Sequence, residues 1–173
     1  MNETVGIGII GCGGRIKGVS RRTCRQDKRL RIVGVHDISE ESIESTKQFF
    51  SHAEYYAHTE QELKTYDNVG ALVADPEIHW VMVGSWNAAH REHVVAAFEA
   101  GKHVFCEKPL ATTVEDCVAM RKAWLASGKQ FIIGFTLRFS PHYRKIKALV
   151  DEGIVGAIIS LEFNETLDFN HGG

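Results

Sequence analysis

The chain has 173 residues, enough for one ordinary domain and a little more. Hydrophobic residues make up 44% and charged residues 24%, a balance that supports a packed core and argues against disorder. The net charge is -2 and no block of like charge stands out, so binding to nucleic acid or to a membrane surface has no electrostatic support.

The first residues, Met1-Asn2-Glu3-Thr4, lack the positive region of a signal peptide. The apolar run after them ends at Gly11, far short of a bilayer span. Cys12, Cys24, Cys106 and Cys117 form no C-x-x-C and are too sparse for a disulfide framework. A reduced, cytoplasmic protein is expected. Arg15, Lys17, Arg21, Arg22 and Arg25 alternate with polar residues and read as the solvated face of a helix.

In chain order, the first strand is expected at Val5–Ile10, followed by a glycine-rich turn and a helix. The second strand is expected at Leu30–His36, a weaker one near 53–57, and others at Trp80–Val83, His103–Cys106 and 131–136. Most of these runs are almost continuously apolar, as strands buried on both faces of a parallel sheet must be. Asn87 is placed to cap a helix over 87–100, with Gly101 ending it. Thr112 and Glu115 have the spacing of a capping box, and Gly128 closes that helix. Ser140 and Pro141 open another, with Ile146, Leu149 and Val150 as its apolar stripe and Gly153 beyond it. Residues 157–165 alternate apolar and polar, the pattern of a strand with one wet face. Strands and helices in alternation with short connections predict a doubly wound α/β domain of the Rossmann type.

A literal G-x-G-x-x-G at Gly6, Gly8 and Gly11 lies mostly inside the first strand, where no phosphate loop can form. The better candidate is Gly11-Cys12-Gly13-Gly14-Arg15-Ile16. Gly11 permits the tight turn, Gly13 lets the backbone approach a pyrophosphate, and the helix N-terminus presents N–H groups and a positive dipole end. Ile16 occupies the third glycine position, which implies looser helix–strand packing. An ordinary glycine-rich turn is the competing reading. Asp37 weighs against it, because an acid ending the second strand binds both adenosine ribose hydroxyls and repels a 2′-phosphate. NAD is therefore favoured over NADP. Asp37 also fits as the cap of a helix beginning near Ser39, and the two roles are compatible.

Two later segments carry a resemblance. Val81-Met-Val-Gly-Ser-Trp-Asn-Ala-Ala-His90 and Ala100-Gly-Lys-His-Val-Phe-Cys-Glu-Lys-Pro-Leu110 resemble the glucose-fructose oxidoreductase / inositol dehydrogenase / MocA family. The likeness continues through Leu137-Arg-Phe-Ser-Pro141 and Gly153-Ile-Val-Gly156. It implies a dinucleotide-binding domain over 1–136 and, over 137–173, the start of an incomplete α+β domain for substrate and for assembly of copies through its sheet. It also implies that Lys108 is a catalytic residue near the nicotinamide, that Glu107 packs by the cofactor, and that Lys108–Pro109 is a cis bond. Ser85, Trp86, Asn87 and His90 line the nicotinamide side by the same analogy, although the family often has Pro where this chain has Trp86. His90 and His93 stand at i, i+3, but two histidines without a third ligand make a poor metal site, and none is expected.

The activity implied is NAD-dependent hydride transfer between nicotinamide and a sugar, inositol or related polyol. The family's second domain supplies an Asp-x-x-x-His pair; Asp168 and His171 are one residue too close to be that pair. The 173 residues are thus expected to bind NAD without appreciable turnover. The alternative is a non-catalytic dinucleotide sensor of the same fold. Intact Glu107-Lys108-Pro109 favours the enzyme.

Overall fold

The computed structural model describes residues 4–51 and 62–164. The chain falls into two compact units, residues 1–134 and 135–173.

The first unit is built on six parallel strands: β1 (Val5–Ile10), β2 (Leu30–His36), β3 (Lys64–Thr65), β4 (Trp80–Val83), β5 (His103–Cys106) and β6 (Phe131–Ile133). Their order across the sheet is β3-β2-β1-β4-β5-β6. The chain reverses direction across the sheet between β1 and β4, and ligands of such sheets bind beyond the carboxyl ends of the strands at that point.

Helices α1 (Gly14–Gln26) and α2 (Glu40–Ser51) follow β1 and β2, while α3 (Val69–Ala74), α4 (His90–Glu99) and α5 (Val114–Ser127) follow β3, β4 and β5. Alternate strand residues feed two cores. Ile7, Ile9, Val35 and Met82 pack with Ile16 and Cys24 of α1 and Phe50 of α2. Ile10, Val33, Val81, Val83, Val104 and Cys106 pack with Leu72, Val94, Phe98 and Met120 of α3, α4 and α5. Burial on both faces is the reason these strands read as continuous apolar runs.

The structure moves several expected boundaries. The strand near 53–57 lies outside the described residues, and the third strand found is the short β3. The 87–100 helix is a 3-10 turn, Asn87–Ala89, running into α4 at His90. The residue capping α5 is Thr113, whose Oγ1 accepts from the Asp116 N–H at 3.1 Å, rather than Thr112 with Glu115. Gly128 ends that helix in the left-handed region, φ 64°. β6 stops at Ile133, three residues before the expected end.

In the second unit a 3-10 turn (Thr136–Phe139) leads to α6 (Pro141–Asp151), with Ser140 before it and Gly153 at φ 73° after it. The strand expected over 157–165 is not formed across its described part, 157–164. Apolar alternation supplies only a strand's pattern; the strand itself needs ladder partners, and 157–164 pairs with no strand among the described residues. Asp168 and His171 lie outside the described residues. Among the described residues, no helix is long and apolar enough to cross a membrane.

Candidate functional site

β1 ends in the glycine turn. Gly11 has φ 85°, and a Cβ there would lie 2.4 Å from the Ser85 nitrogen, so both conformation and space demand glycine. Gly13 is the N-cap of α1, and the first helical bond runs from the Lys17 N–H to the Gly13 carbonyl at 3.3 Å. A Cβ at Gly13 or Gly14 would meet nothing within 4 Å. The start of α1 is therefore open to a ligand, as a backbone phosphate cradle must be.

The earlier G-x-G inside β1 has a different origin. A Cβ at Gly8 would lie 2.7 Å from Leu72 Cδ2 and 2.8 Å from Ile78 Cδ1, so that glycine lets α3 and its following loop close on the sheet.

Asp37, at the end of β2, is tied to the glycine turn. Its Oδ2 accepts the Cys12 N–H at 2.6 Å and its Oδ1 accepts the Ser39 N–H at 2.8 Å. The cap of α2 is Ser39 rather than Asp37: its Oγ accepts from the Ser42 N–H at 3.2 Å. Each Asp37 oxygen keeps a lone pair for a further donor. Cys12 is buried, and burial pushes its thiol up to about 11, so it contributes its N–H and not a thiolate.

The loops after β1, β2 and β4 enclose a cavity of about 690 Å³. Gly11 and Gly13 line it with Ile10; Asp37 lines it with His36, Ile38, Ser39 and Ser42; Ser85, Trp86 and Asn87 line it with Gly84, Ala89 and His93. The Ser85 hydroxyl lies 2.8 Å from His93 Nδ1. Burial holds the His93 pKa below its ordinary value, opposed by Glu92 and reinforced by His36 and His90.

The other expected site residues lie elsewhere. Ile16 is buried in the core, against Gly84. His90 is 0% exposed: its Nδ1 lies 3.0 Å from the Pro109 carbonyl and 3.2 Å from that of Leu110, and its Nε2 lies 3.0 Å from that of Ser85. It therefore brackets the loops after β4 and β5 instead of lining the cavity. Glu107, 6% exposed, accepts from Arg15 Nε at 3.2 Å and from the Lys108 N–H at 3.3 Å. Gly134 leaves room for that carboxylate, since a Cβ there would stand 2.8 Å from Glu107 Oε2. Lys108 is exposed and precedes a cis peptide bond to Pro109. Ser85, Trp86 and Asn87 thus share a cavity with Asp37, and that cavity does not include Glu107 or Lys108.

Sequence reasoning missed His36, Ile38, Ser39, Ser42, Gly84 and His93 as lining residues, and Ile10 and Ala89 with them. The first four flank the acid that ends β2, so their position beside Asp37 was the available signal. His93 was noticed only as half of a metal pair; its place one turn into the helix after β4 was the better clue.

A glycine turn opening a helix, an acid ending the next strand and a cavity at the sheet's reversal point together define a Rossmann-type dinucleotide-binding domain. Residues 5–135 match the Gfo/Idh/MocA family, an oxidoreductase family with an NAD-binding Rossmann fold, and the chain belongs to that family. It is 36% identical over 157 residues to an inositol 2-dehydrogenase of Gluconacetobacter diazotrophicus, covering 90% of this chain and 44% of that protein. It is 38% identical over 154 residues to inositol 2-dehydrogenase 3 of Saccharopolyspora erythraea, covering 88% of this chain and 42% of that one. Among solved structures it is similar to the Lactobacillus casei myo-inositol dehydrogenase in complex with NAD(H) and myo-inositol, with a TM-score of 0.77 and 30% identity over 89% of this chain and 43% of the other. The chain spans less than half the length of the curated relatives it matches.

Proposed function

We propose that this chain is the cofactor-binding part of an NAD-dependent dehydrogenase acting on an inositol or a related polyol. The observation that carries the cofactor reading is Asp37, a carboxylate at the end of β2 bordering the same cavity as Gly11 and Gly13. The residues fit the group. The turn at Gly13 and Gly14 is open for a pyrophosphate, and Asp37 has acceptor capacity for two ribose hydroxyls. Its negative charge repels a 2′-phosphate, which favours NAD over NADP. Nicotinamide, when bound, supplies the hydride acceptor.

Lys108 is the proposed catalytic residue, its ammonium donating a hydrogen bond that orients a substrate hydroxyl or, as one link of a proton relay, passing on its own proton as it receives another. Glu107 positions it: the carboxylate, fixed by Arg15, accepts the Lys108 N–H. The polyol reading rests on the inositol dehydrogenases among the relatives. Those relatives are more than twice as long, so the 173-residue chain alone is proposed to bind NAD without appreciable turnover. Residues 137–173 are proposed to begin the domain that holds the substrate.

Calorimetric titration with NAD and NADP, for the parent and Asp37→Ala, tests the cofactor reading. NAD is expected to bind more tightly than NADP, and the substitution to abolish the difference. At a hundredfold excess over its dissociation constant, NAD should add about 2.7 kcal/mol of stability. A folded chain that binds neither nucleotide refutes the reading.

A further inference from the structure

At the amino ends of the strands, the edge of the sheet opposite the cavity, two histidines tie four strands together. His79 precedes β4 and His103 opens β5. The Gly6 N–H of β1 donates to His79 Nδ1 at 2.9 Å, and the His79 N–H donates back to the Gly6 carbonyl at 2.9 Å. The His79 carbonyl accepts the His103 N–H at 3.0 Å. His103 Nδ1 in turn accepts the N–H of Gln130, just before β6, at 3.1 Å. A continuous run of bonds thus joins β1, β4, β5 and β6, and two of its links are imidazole nitrogens. Trp80 stacks on the face of the His103 ring, with centroids 5.0 Å apart.

Both links share one chemical requirement. A backbone N–H only donates, so each Nδ1 must offer a lone pair, and each ring must be neutral with its proton on Nε2. A carboxamide oxygen would hold these N–H groups at any pH. An imidazole holds them only while neutral, because a proton on Nδ1 sets one donor against another.

The surroundings are cationic. Burial, then Lys129 and His79, hold the His103 pKa below its ordinary value. Lys102 reaches the carbonyls of Asp75 and Ile78 at 2.9 and 2.7 Å, beside His79. The carboxylates of this edge are committed elsewhere: Asp75 pairs with Lys64, and Glu77 with Lys64 and Arg31. The unfolded chain takes up a proton near 6.5 more readily than the folded His103 does, so acid works against the folded arrangement.

We propose that His79 and His103 form an acid-released latch on the amino ends of β1, β4, β5 and β6: neutral rings hold the Gly6 and Gln130 N–H groups, and protonated rings let them go. Release tells most at β6. Gly6 belongs to a strand paired on both sides, whereas β6 is a three-residue edge strand whose partner is β5. The latch lies away from the cavity and does not depend on the dinucleotide reading.

NMR of the isotope-labelled 173-residue chain, from about pH 7.5 to about pH 5, tests the latch by following the ring nitrogens and the amide exchange together. At neutral pH both Nδ1 atoms are expected to be unprotonated. On acidification the exchange protection of the Gly6 and Gln130 amides should fall about fivefold relative to Ile9 and Met82, the size of one lost hydrogen bond. His79→Asn and His103→Asn supply a carboxamide oxygen that does not titrate in this range. Each should abolish the fall at its own amide and keep it at the other. A proton on Nδ1 at neutral pH, protection that stays constant while the rings titrate, or an undiminished fall in the asparagine variants overturns the latch. Should a variant fail to fold, the ring and amide titrations of the parent decide the matter alone.

Discussion

Gly84 makes the room that Ile16 occupies: a Cβ at Gly84 would lie 2.6 Å from Ile16 Cβ and 2.9 Å from its Cγ1. In the usual glycine fingerprint the small residue sits on the helix, at the third position, so that helix and strand can close. Here the bulk is on α1 and the gap is at the end of β4. The loose packing expected from Ile16 does not occur, since Ile16 is 1% exposed.

Gly84→Ala should therefore overpack this contact and cost about 1–3 kcal/mol. The same substitution in an Ile16→Ala background should cost less, with a coupling above about 0.5 kcal/mol. Urea unfolding of the parent, both single variants and the double variant measures this. Strict additivity would mean that the two residues do not share the space.

His90 should behave as a fold residue. Its ring is 0% exposed and faces three carbonyls from two loops, so His90→Ala leaves acceptors unmatched and opens a cavity. The expected loss is about 2–4 kcal/mol by denaturant unfolding. A loss below about 1 kcal/mol would show that the bracket contributes little.

His93 predicts a pH dependence. Burial disfavours its protonated form in the fold, while the unfolded chain takes up the proton near the ordinary value of 6.5. The unfolded state then binds more protons, so stability falls as pH drops through and below 6.5. His93→Gln should lose less stability than the parent between pH 7.5 and 5.5 (about neutral to mildly acid, the range a histidine commands), measured as the shift in urea midpoint. Identical shifts would remove His93 from the account.

The cysteines should separate by reactivity. Burial pushes Cys12 up to about 11 and Cys24 and Cys106 up to about 12, while Cys117 on α5 is only half-buried. Iodoacetamide near neutral pH should label Cys117 in the native chain and all four cysteines in urea, read by mass spectrometry. Native labelling of Cys12 would show that the glycine turn opens more than its packing implies.

The sequence by itself determined the class of fold and the position of the turn and the acid. β1, β2, β4 and β5 have the bounds their apolar runs predict, because a strand buried on both faces must be apolar along its whole length. Gly11, Gly13 and Asp37 were legible because the turn and the strand end that need them are local features. Short elements escaped: β3 has two residues and α3 six, too few for a period to show. The starts of α2, α4 and α5 moved by one to three residues while α6 opens at Pro141 as expected, since which residue caps is decided by its backbone conformation.

Tertiary structure alone decided which distant residues meet. Gly84 relieving Ile16, His90 closing carbonyls of two loops, Glu107 held by Arg15, and Trp86 sharing a cavity with Ile38 all join segments that come from different strands. Local composition records what each residue prefers. The order and register of parallel neighbours, set by packing the whole sheet between its helices, decide whom it faces.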